Sequence, residues 1–183
     1  MLNVMALGVV LAGTAGAALG QLGGNGQLTP TPLGGGQYSD SISIHNTGTT
    51  TIGTFWFAWI RGGDFLFSSP TNVSSPAGWT GTVQGVPGAY SIEWTANSAA
   101  SYLSPGGTLA GFSFQSADAP SVLTGPASSN PLYATTTSFF YVGPALGDPG
   151  YQFVVSVVPA PGAIGLCGVA GVALARRRRI PGR

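Results

Sequence analysis

Chemistry has few places to reside in this chain. Its 183 residues include one histidine, one cysteine and five carboxylates. Nucleophilic catalysis needs a nucleophile, a base within hydrogen-bond reach and a third group that orients the base. His45 and Cys167 are far apart in sequence, and neither stands in a nucleophile elbow or a phosphate-cradling glycine loop. His45 ends a strand-like run just before Asn46-Thr47-Gly48 and reads as a structural turn residue. Cys167 lies in an apolar stretch and reads as a small apolar side chain. With one of each, neither a Cys/His zinc set nor an internal disulfide can form. Asp40, Asp64, Glu93, Asp118 and Asp148 are scattered and match no calcium loop. Only loops gathered at one end of the fold would bring Asp64, Asp118 or Asp148 together around calcium, or set two carboxylates at glycosidase spacing. The expectation is a non-enzyme with no cofactor and no metal.

The four tryptophans are the other candidates, because an exposed indole face stacks on a sugar ring. Alternation buries most of them. Trp94 shares a face with Tyr90 and Ile92, while Trp56 and Trp59 fall on opposite faces of one apolar strand. Trp79, at a loop-to-strand junction, is the one candidate platform for glycan contact. Asn72-Val73-Ser74 matches a glycosylation triplet, a weak signal on its own.

These residues need a scaffold, and the composition favours sheets. Charged residues are only 6% of the chain, against roughly a quarter in an average soluble domain. Thirty glycines and fourteen prolines could suggest disorder, yet 44% hydrophobic residues are enough to bury a core. Tyr38, Asp40, Ile42 and Ile44 alternate with serines, and Tyr90, Ile92, Trp94 and Ala96 alternate with polar residues. Thr51 to Ile60 is apolar on both faces and belongs at the centre of a sheet. Further strand-like runs cover 79–84, 108–115, 138–142 and 151–158, with a long loop from Phe65 to Gly78. About seven strands joined by Gly, Pro and Asn turns predict an all-β, immunoglobulin-like two-sheet β-sandwich over 37–157. Residues 21–36, rich in Gly, Pro and Thr, read as a linker. No lysine is present and the body carries Arg61 alone among basic residues, which argues against nucleic acid as a partner.

Both ends read as signals. Residues 1–20, with an apolar centre from Val4 to Leu11 and the small-residue candidates Ala15-Gly16-Ala17, form a secretory signal helix. At the other end, 158–183 begin with Val158-Pro159-Ala160-Pro161, continue through an apolar segment and stop at Arg176, Arg177, Arg178 and Arg179. That segment of about fourteen residues would be roughly 21 Å long as a helix, short of the roughly 30 Å hydrocarbon core. It is a marginal transmembrane helix, and the arginines place its end on the cytoplasmic side.

The tail resembles the PEP-CTERM sorting signal of exosortase-bearing bacteria, in which Val-Pro-Glu-Pro precedes a short membrane segment and an arginine cluster. Ala160 stands here where that pattern has glutamate. The run Tyr38 to Gly48 followed by Phe55-Trp56-Phe57-Ala58-Trp59 resembles the secreted domain that often precedes such a tail, and is similar to immunoglobulin-like adhesion repeats. The resemblance implies a membrane-embedded, transpeptidase-like exosortase as partner, with cleavage near Pro159 to Pro161. It also implies export, membrane tethering before processing, and residence at the envelope or in extracellular matrix. The implied role is structural or adhesive, with exopolysaccharide in a biofilm. The alternative is a carbohydrate-binding module using Trp79.

Overall fold

Side chains on a strand point alternately to opposite faces, so the alternating runs dictate the layers. The computed structural model describes residues 20–143, 146 and 149–158. The signal helix, Asp148, Cys167, the motif from Pro159 onward and the arginine cluster lie outside the described residues. Eleven strands follow in order: β1 (Gly24–Gly34), β2 (Gln37–Asn46), β3 (Thr54–Phe57), β4 (Trp59–Ile60), β5 (Gly63–Asp64), β6 (Thr71–Ser74), β7 (Trp79–Val86), β8 (Ala89–Ala96), β9 (Thr108–Ser116), β10 (Thr137–Tyr141) and β11 (Tyr151–Val157). A one-turn helix, Pro120–Leu123, follows β9. No helix among the described residues is long and apolar enough to cross a membrane.

Nine strands join in the order β6-β9-β2-β1-β11-β10-β3-β8-β7, and β4 pairs with β5 as a separate hairpin. Strand β11 is the corner. Its first half pairs antiparallel with β10, from Tyr151 to Val154, and its second half pairs parallel with β1, from Val155 to Val157. The sheet thereby folds into two facing layers, a β-sandwich.

Between the layers lies an aromatic core. Phe55 of β3 stacks on Trp94 of β8 with ring centroids 5.4 Å apart. From the opposite layer Phe112 of β9 meets Phe55 edge-on at 5.5 Å and Trp94 at 5.3 Å. Phe114 of the same strand packs on Phe57 at 5.4 Å. Each buried ring of this kind contributes roughly 1.5–3 kcal/mol through area removed from water.

Each of the seven sequence-read strands has a counterpart, but the run 51–60 is not one strand: it breaks at Ala58 into β3, central between β10 and β8, and β4 of the separate hairpin. Two readings are corrected. The stretch 21–36 is no linker, because most of it is β1, paired with β2 along nearly its whole length. Its inward positions are Gly24, Gly26, Leu28 and Pro30, which leave almost no apolar period to read. The glycines are there for space: a Cβ on Gly24 would lie 2.5 Å from the Phe140 ring. Neighbouring strands fill the volume that β1 leaves open. The loop from Phe65 to Gly78 likewise contains β6, a short bulged strand at the free edge of β9.

Candidate functional site

The outer face of the β1–β2–β9 layer is built from the positions that alternation turns away from the core. Three cross-strand rows can be read from the register. Asn25 lies beside His45 and Thr108, Gln27 beside Ser43 and Ala110, and Thr29 beside Ser41 and Ser113. These side chains line two depressions that share Gln27 and Ser43, of about 310 Å³ and about 210 Å³. The larger one centres on a β-bulge. The register slips between Ile42 and Ser43, leaving Gly111 unpaired at φ +103°, a conformation that favours glycine. No Asp, Glu, Lys or Arg lines either depression. The trough is therefore an uncharged row of hydroxyls and amides, each able to donate and accept.

His45 closes one end of it. Its Nδ1 lies 3.0 Å from the Gly107 carbonyl oxygen and 3.0 Å from Thr108 Oγ1. A carbonyl can only accept, so Nδ1 carries a proton and donates it to Gly107. The ring thus ties the end of β2 to the start of β9, in keeping with a structural turn residue.

A second polar cluster sits at the rim of the core, and sequence reading missed it. Asp40 of β2 is 0% exposed, on the inward face that it shares with Ile42 and Ile44. Ser116 Oγ donates to Asp40 Oδ2 at 3.0 Å and accepts from the backbone N–H of Asp118 at 3.3 Å. Asp118, also buried, accepts from the N–H groups of Phe67 and Ser68 at 3.1 Å each. Asp40 Oδ1 is buried with no hydrogen-bond partner. Burial pushes the Asp40 carboxyl up to about 6, against the Ser116 hydrogen bond and helped by the nearby Asp118. Burial also raises Asp118, opposed by its bonds from Ser68 and Phe67. The alternation of Tyr38, Asp40, Ile42 and Ile44 was enough to foretell a buried carboxylate. Nothing local foretold its neighbour, 78 positions further along the chain.

The gathering of Asp64, Asp118 and Asp148 that a calcium site of those three would have needed does not occur among the described residues. Asp64 instead accepts a hydrogen bond from the Ser91 hydroxyl. Glu93 stands on the outer face of β8, opposite Trp56, and desolvation raises its carboxyl against bonds from Gln84 and Thr95. No group of three His, Cys, Asp or Glu side chains able to hold a metal occurs among the described residues.

Trp79 must be corrected as well. It is 5% exposed, its indole N–H donates to the Ser101 carbonyl at 3.0 Å, and its ring meets Phe112 edge-on. As the first residue of β7, opposite Ala96, it faces the core and offers no platform to a glycan. Trp94 is buried too, with its N–H on the Ser74 carbonyl. Trp56 and Trp59 share one face rather than opposite ones, stacked and covered beside Tyr141.

No protein-family model matches the chain, and no curated protein does either. Solved structures with a similar trace are distant. The biomass-sensing module of the Rsgi2 protein of Clostridium thermocellum, described as resembling family 3 carbohydrate-binding modules, is 18% identical at a TM-score of 0.39. The match covers 69% of this chain and 98% of that one. A CBM3 module of Hungateiclostridium clariflavum is 11% identical at a TM-score of 0.41, over 74% and 99% of the two chains. A GH20 exo-β-N-acetylglucosaminidase of Vibrio harveyi is 12% identical at 0.38, and the match spans only 18% of that enzyme's length. Likenesses this remote do not say what the chain binds, and the site stands on its own residues.

Proposed function

We propose that this is an exported, non-enzymatic β-sandwich that holds a neutral polysaccharide in the trough across β1, β2 and β9. Its role is structural or adhesive, in association with exopolysaccharide. The observation that carries the reading is the trough itself, open and uncharged, with Gln27, Thr29, Ser41 and Ser43 aligned across adjacent strands. A polysaccharide presents rows of hydroxyls, and such groups pair with side chains that both donate and accept. An acidic polymer would find no lysine or arginine there to offset its charge. The one imidazole beside a hydroxyl there, His45 next to Thr108, turns its Nδ1–H to the Gly107 carbonyl and so presents no base to that hydroxyl, which supports binding without turnover.

Affinity electrophoresis through gels containing a neutral β-glucan, a neutral galactomannan or alginate tests this. Retardation is expected in at least one neutral gel and not in alginate. A Gln27→Ala, Ser43→Val double variant is expected to weaken it by about tenfold or more, the scale of one lost hydrogen-bonded contact pair. Equal migration in every gel, or retardation unchanged in the double variant, defeats the proposal.

Delivery belongs to the tail. The layout of Val158-Pro159-Ala160-Pro161, apolar segment and Arg176 to Arg179 supports sorting by an exosortase-type enzyme, with the tail removed after export. Intact-mass measurement on secreted material is expected to find residues 176–183 missing. Their retention would end the processing proposal.

A further inference from the structure

We infer that the rim where β2 meets the segment after β9 is a calcium site, built on the carboxylates of Asp40 and Asp118 with Ser116 between them. The inference is independent of the polysaccharide reading, because the trough lies on the outer face of β2 and Asp40 points inward.

Two carboxylates stand together here with nothing to balance them. Arg61, the basic residue of the described body, is elsewhere, donating to the Leu146 carbonyl at 2.8 Å and lying against Tyr141. Glu93 stands on β8 in the other layer, Asp64 sits in the separate β4–β5 hairpin and accepts from Ser91, and His45 lies five positions further along β2. A buried charge without a partner is strongly disfavoured, and buried polar atoms are nearly always hydrogen-bonded. Asp40 Oδ1 breaks that rule, fully buried and unpartnered. Its sister oxygen and both oxygens of Asp118 are held by Ser116, Phe67 and Ser68, so only Oδ1 is left to be satisfied. That fixed arrangement presents a donor atom with no protein donor to receive.

The donor set identifies the cation. Carboxylates and the hydroxyls of Ser116 and Ser68, which share one hydrogen-bond network, supply oxygen alone, the preference of hard cations. Magnesium gives up its waters reluctantly, and Asp40 has no exposure to share with a hydrated ion. Calcium accepts irregular, dehydrated oxygen sites. Access is short, since Phe67 and Ala117, on either side of the cluster, are exposed.

The full-length protein, stripped with EDTA and dialysed at pH 7.5, is melted with increasing calcium chloride, and with magnesium chloride as comparison. The midpoint is expected to rise by about 5 °C once calcium reaches roughly a hundredfold its Kd, and much less with magnesium. Asp40→Asn is expected to need at least about tenfold more calcium for half the rise. Atomic emission on protein dialysed against micromolar calcium is expected to find one ion per chain, a readout that does not depend on the variant folding. No rise in the unsubstituted protein overturns the site and leaves the pair holding only a proton. A rise that Asp40→Asn leaves unchanged overturns it too, by placing calcium elsewhere. Absence of bound calcium in the emission measurement does the same.

Discussion

Trp56 and Trp59 stack with ring centroids 4.5 Å apart, although residues three apart on a regular strand face opposite sides of the sheet. The reversal happens at Ala58, whose φ of +56° lies in the left-handed region. One residue in that conformation ends β3, and β4 restarts with its parity flipped. Trp59 then turns out to the face that already holds Trp56, Phe139 and Tyr141. The result is a second, small aromatic cluster on the outside of the β10–β3–β8 layer. The first core keeps Phe55 and Phe57.

Ala58 should therefore respond to substitution in an unusual order. A non-glycine residue in the left-handed region costs on the order of 1 kcal/mol, and glycine removes that cost at some loss of unfolded-state order. Ala58→Gly is expected to change stability by less than about 1 kcal/mol in either direction. Ala58→Val, adding β-branching to a fully buried left-handed residue, is expected to cost roughly 2–4 kcal/mol. Urea unfolding measures both. If valine is tolerated as well as glycine, the parity switch at Ala58 is wrong.

The raised carboxyls set a direction for pH dependence in calcium-free protein. Asp40 in the fold titrates near 6, above its ordinary 3.8, so the folded chain holds the proton more tightly than the unfolded one. The associated stability is fully present below about 3.8 and is lost as pH rises through about 6. Asp118 and Glu93 are raised in the same direction. Thermal midpoints in EDTA are expected to be roughly 5 °C higher at pH 4.5 than at pH 7.5. Asp40→Asn is expected to flatten most of that slope. A midpoint that climbs with pH over this interval contradicts the buried, proton-holding Asp40.

Much of the fold could be read along the chain. Period-two runs at 38–44 and 90–96 are strands β2 and β8, and the doubly apolar run holds the central strand β3. The alternation at 38–44 puts Asp40 on the same face as Ile42 and Ile44, the face the structure buries. Strand β1 was hidden because three of its four inward residues are two glycines and a proline, and the glycines fit there because Phe140 and Phe153 of other strands fill the space. The trough was hidden for a similar reason: serines, threonines and Gln27 on three separate strands mean little until the register sets them side by side. Trp79 was misjudged because a loop-to-strand junction does not tell which way the first side chain turns. Its pairing with Ala96 decides that.

Local sequence determined the all-β character, the positions of seven strands and the paucity of catalytic side chains, since alternation, turn residues and composition act over a few neighbours at a time. Tertiary structure alone decided which strands adjoin, where Ala58 reverses the parity, that Trp79 is covered, and that Asp40 meets Asp118. These last are matters of packing volume and electrostatics between residues tens of positions apart, and no local pattern encodes the partner.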